Sequence, residues 1–335
     1  MIDGAALARI WRLAEPVAVR PIAGGGVNNH VLLVEAADGV KRVLRMNSNH
    51  SDPQRIRYEL YVTDWLQRRR FSFAVPEPIP ARDGVLWAAA PGGDGLLTLW
   101  SLVPGGPVDT ANLAQARAAG RALAELLPAM AEIPSLPAEE AIMPPAHGDL
   151  RNGHPLVPDP LAALAALALE EPLQTQIQAL MSDMLAAAPE LYRSLPVQFS
   201  HGDFVQANLL AAGDEISAVL DFEFAAHDLE LMDFAVLLSW WVIKARGTGA
   251  EWPLLDAIGG GFSSLRPLGA DECDLLPTLF RLREAMVICH FLGRHAQGLD
   301  SLEQLRRHLA ASARIDSWAL AEASRLVRLA RGWRR

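Results

Sequence analysis

The chain has 335 residues, 51% of them hydrophobic and 21% charged, which is long enough for two lobes and apolar enough for a sizeable core, and which excludes a disordered or low-complexity protein. Its formal net charge of −9 works against nucleic acid as a partner, because such binders carry a basic face. The two cysteines, Cys273 and Cys289, lie outside any CxxC or His/Cys zinc spacing, which excludes a disulfide scaffold and a zinc site.

The chain opens with MIDGAALARIW, whose Asp3 stands where a secretory leader has its basic region, so it does not read as a signal peptide. The most apolar window, FAVLLSWWVI at 234–243, is far shorter than the roughly 20 residues a membrane span needs. A cytoplasmic protein without a membrane partner is expected. Three strand-like runs follow, VAVRPI, HVLLVEA and KRVLRM, joined by AGGGVNN and by AADG, whose Asp-Gly pair signals a hairpin. Asp52 and Pro53 then supply an N-cap and a first-turn proline for a helix through RIRYELYVTDWLQRRR. After Pro76, Pro78 and Pro80 come two more strand-like runs, GVLWAAA and LLTLWSLV, and then PGGPVD, from 104, which reads as a hinge.

Beyond the hinge the composition turns to alanine and leucine, and helices are expected over 111–130, 160–187, 228–245, 271–297 and 302–333. A strand-like hairpin from VQFS to NLLAAGDEISAVLDFEF, turning at Gly213 and Asp214, interrupts them. The expected class is α+β. An N-terminal lobe, 1–103, would hold a small antiparallel sheet and one helix, and a C-terminal lobe, 104–335, would be mainly helical. The basic end RLVRLARGWRR suits either a phosphate-rich partner or the C-terminal dipole of a helix.

The triplet HGD occurs at 147–149 and again at 201–203. The second continues as HGDFVQAN, which sets Asn208 five positions after Asp203, and Asp221 follows the hairpin in AVLDFEF. Strand, loop, strand, loop brings three such residues to one point. There they supply what phosphoryl transfer needs: one carboxylate to orient a hydroxyl, and a carboxylate plus an amide oxygen to hold Mg²⁺ against nucleotide phosphates. The first triplet lacks these companions: His154 stands five positions beyond Asp149, and no hairpin ending in DFE follows. Asp149 is therefore read as a turn residue, with His147, Arg151 and His154 left as contributors to an acceptor pocket.

HGDFVQANLL followed by VLDFEFA resembles the catalytic and metal loops of the aminoglycoside phosphotransferase and choline kinase superfamily, and the likeness spans nearly the whole chain. The resemblance implies a bilobal protein-kinase-like fold with ATP and Mg²⁺ as cofactors. It makes Asp203 the catalytic base, His201 a support for its loop, and Asn208 and Asp221 the metal ligands. Asp233, in LELMDFA, falls where these families carry an aspartate bracing that loop; by its own pattern it is equally a helix-surface acid. AGGGVNNHVLLV resembles the turn over the nucleotide phosphates, which assigns Gly24, Gly25, Gly26, Asn28 and Asn29 to phosphate contact. Where many relatives carry lysine, RVLRM has Arg45, with Glu59 as its ion-pair partner. The charge is kept, but a planar fork does not replace a compact ammonium one for one. Leu99, Leu102 and Val103 fall in the stretch where the family holds adenine.

The glycine loop, VLRM and HGDF…NLL…VLDFEFA are most similar to the homoserine kinase type II branch. The implied activity is direct in-line transfer of the γ-phosphate of ATP to a hydroxyl of a small molecule, homoserine or another amino alcohol, with no nucleic acid involved. Aminoglycosides, choline and ethanolamine are the alternative acceptors. Two readings from other classes stay open. A protein Ser/Thr kinase is opposed by the absence of an APE-like segment and by the helix-like DLELMDFAVLL so soon after DFE. A catalytically weak nucleotide-binding regulator is suggested by Arg45 and opposed by the intact Asp203, Asn208 and Asp221.

Overall fold

A computed structural model describes residues 2–22, 30–47, 52–91, 95–134, 136 and 142–334. The expected phosphate-contacting residues Gly24, Gly25, Gly26, Asn28 and Asn29 lie outside the described residues.

The first part of the chain forms α1 (Gly4–Trp11), β1 (Ala18–Pro21), β2 (His30–Glu35), β3 (Lys41–Asn47), α2 (Pro53–Gln67), β4 (Pro78–Ile79), β5 (Ala88–Ala89) and β6 (Leu96–Ser101). The strands make one antiparallel sheet in the order β1-β2-β3-β6-β4, with β5 also on β6. The Asp-Gly turn works as its chemistry requires: Gly39 takes φ +74, and the Asp38 carboxylate accepts the Val40 N–H at 2.9 Å. Asp52 caps α2 by accepting the Gln54 N–H at 2.9 Å. Helix α1 is an addition to the one helix expected here. Asp3 caps it, and Leu7, Ala8 and Trp11 pack on Val34, Leu44, Leu97 and Leu99 of the sheet. Helix α2 has two apolar faces. Ile56 and Leu60 meet Trp100 of the sheet, whereas Tyr58, Val62 and Leu66 belong to the large core formed with the second part of the chain.

That second part comprises β7 (Gly106–Pro107), α3 (Leu113–Ala131), α4 (Pro160–Ala166), α5 (Glu171–Ser194), β8 (Val197–Ser200), β9 (Leu209–Ala212), β10 (Glu215–Val219), β11 (Ala226–Leu229), α6 (Met232–Trp241), α7 (Glu251–Ser263), α8 (Ala270–Ala296), α9 (Leu302–Ala321) and α10 (Ala323–Gly332). The hinge residues Gly106 and Pro107 pair with β9. The hairpin turns at Gly213, which has φ +63, but only β9 and β10 form it; β8 pairs instead with β11. The helix expected from 228 therefore starts later, at Met232.

The spans 160–187 and 302–333 each break in two. Helix α7 is an addition to the expected helices, and its sequence EWPLLDAIGGGFS carries three glycines that lower helix propensity. Those glycines serve contact with α3: a Cβ on Gly261 would lie 2.0 Å from the Arg117 carbonyl oxygen, and one on Gly120 2.1 Å from that of Ile258.

Three of the C-terminal arginines make contacts within the fold. Arg331 pairs with Asp274 at 2.8 Å, Arg334 donates to the Leu268 carbonyl, and Arg325 stacks 3.9 Å from the Trp252 ring. Both cysteines are buried and free; Cys289 donates to the Leu150 carbonyl, and burial pushes its thiol up to about 12. No helix among the described residues is long and apolar enough to cross a membrane.

Candidate active site

The site grows from the end of β8. The chain leaves the strand at Ser200 and turns through Gly202, whose φ of +81 suits glycine, and whose Cβ, if present, would lie 2.1 Å from the Phe224 carbonyl oxygen. The turn is held from below by Asp233, fully buried at the start of α6. Its carboxylate accepts the His201 N–H at 2.6 Å and the Gly202 N–H at 2.8 Å. Asp233 is thus a brace and not a helix-surface acid. Burial pushes its carboxyl up to about 7 against the opposing pull of those two N–H groups.

His201 is fully buried between Phe204 and Phe222, with ring centroids 5.6 and 4.6 Å away. Its Nε2–H donates to the Leu220 carbonyl at 3.0 Å, and its Nδ1 accepts the Asp203 N–H at 3.3 Å. That pair of partners selects one neutral tautomer, and burial pushes the ring pKa down to about 4. His201 therefore links the two loops at the site, since Leu220 directly precedes Asp221.

A single 3₁₀ turn, Gln206–Asn208, closes the loop that carries Asp203. Asn208 Nδ2 donates to the Asp203 carbonyl at 2.9 Å and to its Oδ2 at 3.0 Å, while the Leu220 N–H donates to the Asn208 carbonyl at 2.9 Å. Asp203, Asn208 and Asp221 are thereby brought together. Asp221 sits in the left-handed region at φ 63, a conformation that costs an L-residue of this kind about 1 kcal/mol.

The small sheet delivers its cation to the same place. Arg45 stands on β3, between β2 and β6 and away from any sheet edge, and it is 8% exposed. Its Nη2 pairs with Glu59 of α2, its Nη1 donates to Asp221 Oδ1 at 3.0 Å, and its guanidinium lies 5.5 Å from the Trp100 ring. Burial alone would weaken the Arg45 charge, but Glu59, Asp221 and Glu223 more than offset it and hold the pKa above its usual value. Burial and the Glu223 charge push Asp221 up to about 7 despite Arg45, and Asp203 adds to that rise. Burial also raises Asp203, opposed by Arg283, by the Asn208 amide and by His147.

This donor set fits a hard divalent cation. Asn208 uses its Nδ2 on Asp203, which leaves Oδ1 as an acceptor, its carbonyl bonds the N–H of Leu220 next to Asp221, and small cations of this type take oxygen ligands together with phosphate and water. Among the described residues no group of three or more His, Cys, Asp or Glu could hold a metal ion. Leu99 lies in the core beneath the small sheet, Leu102 is 45% exposed, and Val103 is half-buried.

The first HGD is held as firmly as the second. Asp228 of β11 accepts the His147 N–H at 2.9 Å and meets His147 Nδ1 at 2.6 Å. Tyr192 donates to the other oxygen of Asp228 and accepts the Gly148 N–H at 2.9 Å. A Cβ on Gly148 would collide with the Tyr192 ring, 2.1 Å away. Asp149 is exposed and turns back to Asn152, as its reading as a turn residue anticipated. His147 faces the site closely enough that its charge lowers the Asp203 carboxyl. The sequence reading left Asp228 and Arg283 out. The signal for Asp228 was the first acid in HDLELMDF, five residues before Asp233.

Comparison with known proteins agrees with this architecture. The homoserine kinase of Caulobacter vibrioides is 28% identical over 273 residues, which cover 81% of this chain and 80% of that protein. The homoserine kinase of Methylocella silvestris is 40% identical over 94 residues, a match that spans only 27% of the length of either protein. In fold, the chain resembles a solved amicoumacin kinase in complex with AMP-PNP, Ca²⁺ and Ami, with a TM-score of 0.66 and 15% identity over 93% of this chain and 92% of that one. The architecture is the bilobal protein-kinase-like α+β fold. A family model described as the phosphotransferase enzyme family matches residues 18–268, and the chain belongs to that family.

Proposed function

We propose that this chain is an ATP-dependent phosphotransferase that moves the γ-phosphoryl group to a hydroxyl of a small molecule, with homoserine or another amino alcohol as acceptor. Residues 1–103 would cover the nucleotide, with the backbone of Gly24, Gly25 and Gly26 and the side chains of Asn28 and Asn29 on its phosphates. Arg45, held by Glu59, places a fixed positive charge beside Asp221, where phosphate oxygens would lie. Mg²⁺ bound by Asn208 Oδ1 and Asp221 would neutralise charge on the phosphates.

Asp203 accepts a hydrogen bond from the acceptor hydroxyl and takes its proton as the new O–P bond forms and the bond to ADP breaks. Asn208 fixes the Asp203 carboxylate by donating to Oδ2, and leaves Oδ1 for the hydroxyl. His201 and Asp233 hold the loop, so positioning and charge supply most of the rate. The observation that carries this reading is the Asn208 amide bonded to Asp203 while Arg45 spans Glu59 and Asp221. The name of the Caulobacter vibrioides relative and the nucleotide analogue of the amicoumacin kinase support the acceptor class and the donor respectively.

The short path from Asp221 to α6 at Met232 leaves little room for the substrate-binding segment of a protein kinase, which supports a small acceptor. The test is ADP release by the purified protein with ATP and Mg²⁺ against homoserine, choline, ethanolamine and aminoglycosides. Metal-dependent turnover of one of them is expected. ADP release that no acceptor raises above background would contradict the reading and favour a nucleotide-binding regulator.

A further inference from the structure

Successive residues of a strand face opposite sides of a sheet, and the small sheet divides accordingly. Leu97 and Leu99 of β6 join Leu44 of β3 in the core under α1. Thr98 and Trp100 take the other face together with Val43, Arg45 and Asn47 of β3, towards α2. There Thr98 stands directly across the ladder from Arg45, and Trp100 directly across from Val43. The Trp100 ring lies 5.5 Å from the Arg45 guanidinium, within cation–π reach. This ring is not free to turn. Its Nε1–H donates to Thr98 Oγ1 at 2.9 Å, Asn47 Nδ2 donates to the same hydroxyl at 3.4 Å, and Ile56 and Leu60 of α2 pack against the indole. Asn47, Thr98 and Trp100 are all buried.

Arg45 lacks what holds the indole. Its Nη1 is bonded to Asp221 and its Nη2 to Glu59, and two anchors fix only an axis through the guanidinium. The third corner, Nε, is buried and has no hydrogen-bond partner among the described residues. No hydrogen bond therefore sets the tilt of the plane about that axis, and the fixed face of Trp100 is the contact that can. A lysine at position 45 would not raise the question, because an ammonium is a compact charge with no plane to orient.

We propose that Trp100 is a positioning residue for nucleotide binding: its locked ring sets the tilt of the Arg45 guanidinium, so that arginine and tryptophan together do what a lysine would do alone. The nucleotide part of this rests on the phosphotransferase reading of the site; the pairing of the two side chains does not. The directional N–H groups of a guanidinium meet phosphate oxygens well only when the plane is correctly turned, so loss of the ring costs nucleotide affinity and leaves the acceptor untouched. A ring that merely fills space would be indifferent to which cation stands at position 45.

The experiment is a double-mutant cycle of Trp100→Met with Arg45→Lys, read as AMP-PNP affinity by calorimetry with Mg²⁺, as the KM of the acceptor, and as the urea midpoint. Trp100→Met should weaken nucleotide binding by ~10-fold in the presence of Arg45 and by less than about twofold in the Arg45→Lys background, with the acceptor KM within about twofold throughout. Trp100→Phe, a milder change that carries the cycle if the methionine variant does not fold, should lose ~3-fold, again only with Arg45 present. Equal losses in both backgrounds, or an acceptor KM that rises as much as the nucleotide affinity falls, would overturn the proposal. The urea midpoints report the pairing without any ligand: the shift caused by Trp100→Met should be larger with Arg45 than in the Arg45→Lys background. A wild type that binds no nucleotide but shows this coupling in urea would count against the phosphotransferase reading and uphold the pairing, whereas midpoint shifts that simply add would overturn the pairing itself.

Discussion

Asp228 grips His147 twice, accepting its backbone N–H at 2.9 Å and meeting its ring Nδ1 at 2.6 Å. Five residues on, Asp233 holds the backbone of His201 and Gly202 in the same manner. One segment, β11 and the start of α6, therefore anchors both HGD triplets, the loop with the exposed Asp149 and the loop that carries Asp203. His147 and the rest of its contacts keep the Asp228 carboxyl below the usual range although burial works the other way.

Removing that anchor should be felt in stability. Asp228→Ala leaves the Tyr192 hydroxyl and two His147 donors without their partner, a loss on the order of 2–4 kcal/mol by urea denaturation. Asp228→Asn, which keeps one acceptor, should lose less. An unchanged urea midpoint in the alanine variant would show that the first HGD loop does not depend on this contact.

Gly202 admits no side chain. Its φ of +81 disfavours an L-residue, and the Phe224 carbonyl occupies the place of a Cβ. Gly202→Ala is expected to lower stability by roughly 2 kcal/mol or more and to abolish turnover, because the strain falls between Asp203 and the loop that carries Asp221. A folded variant with wild-type kcat would refute this tight coupling of the two loops.

His201 makes the fold sensitive to acid. Its pKa is pushed from 6.5 to about 4 in the folded state, so below pH 6.5 the unfolded chain binds a proton that the folded chain refuses. Its contribution to stability is complete above pH 6.5 and declines as pH falls towards 4, by up to about 3 kcal/mol. His201→Gln, which cannot titrate, should start less stable at neutral pH and lose less between pH 6.5 and 4. Parallel stability curves for the two proteins would rule out His201 as the source.

Asp221→Ala should weaken Mg²⁺-dependent nucleotide binding by at least ~10-fold, read by calorimetry with and without the metal, because it removes the sole carboxylate of the proposed donor set. Binding without metal should change much less. An unaltered metal dependence would remove Asp221 from that role.

What was legible in the sequence was what local spacing can encode. HGDFVQAN places Asn208 one short loop from Asp203, and the Gly213 turn returns the chain to Asp221, so three of the site's groups follow from a stretch of about twenty residues. Arg45 and Glu59 could be paired because a strand and the helix after it are adjacent in space. The remaining partners are long-range. His147 reaches Asp228 across 81 positions, and Arg283 approaches Asp203 from a helix whose periodicity says only that it packs. The break between α4 and α5 at Ala168, with φ 46, and the pairing of β8 with β11 were hidden for a related reason: alanine-rich sequence supports a continuous helix, and tertiary contacts decide where it stops.

The central claim is that Asp203 orients the acceptor hydroxyl and takes its proton. It is tested most directly by steady-state turnover of Asp203→Asn with the best acceptor, alongside its affinity for ATP. The account predicts a kcat lowered by ~10²–10⁴ with nucleotide binding nearly unchanged. A variant that turns over at the wild-type rate would contradict it.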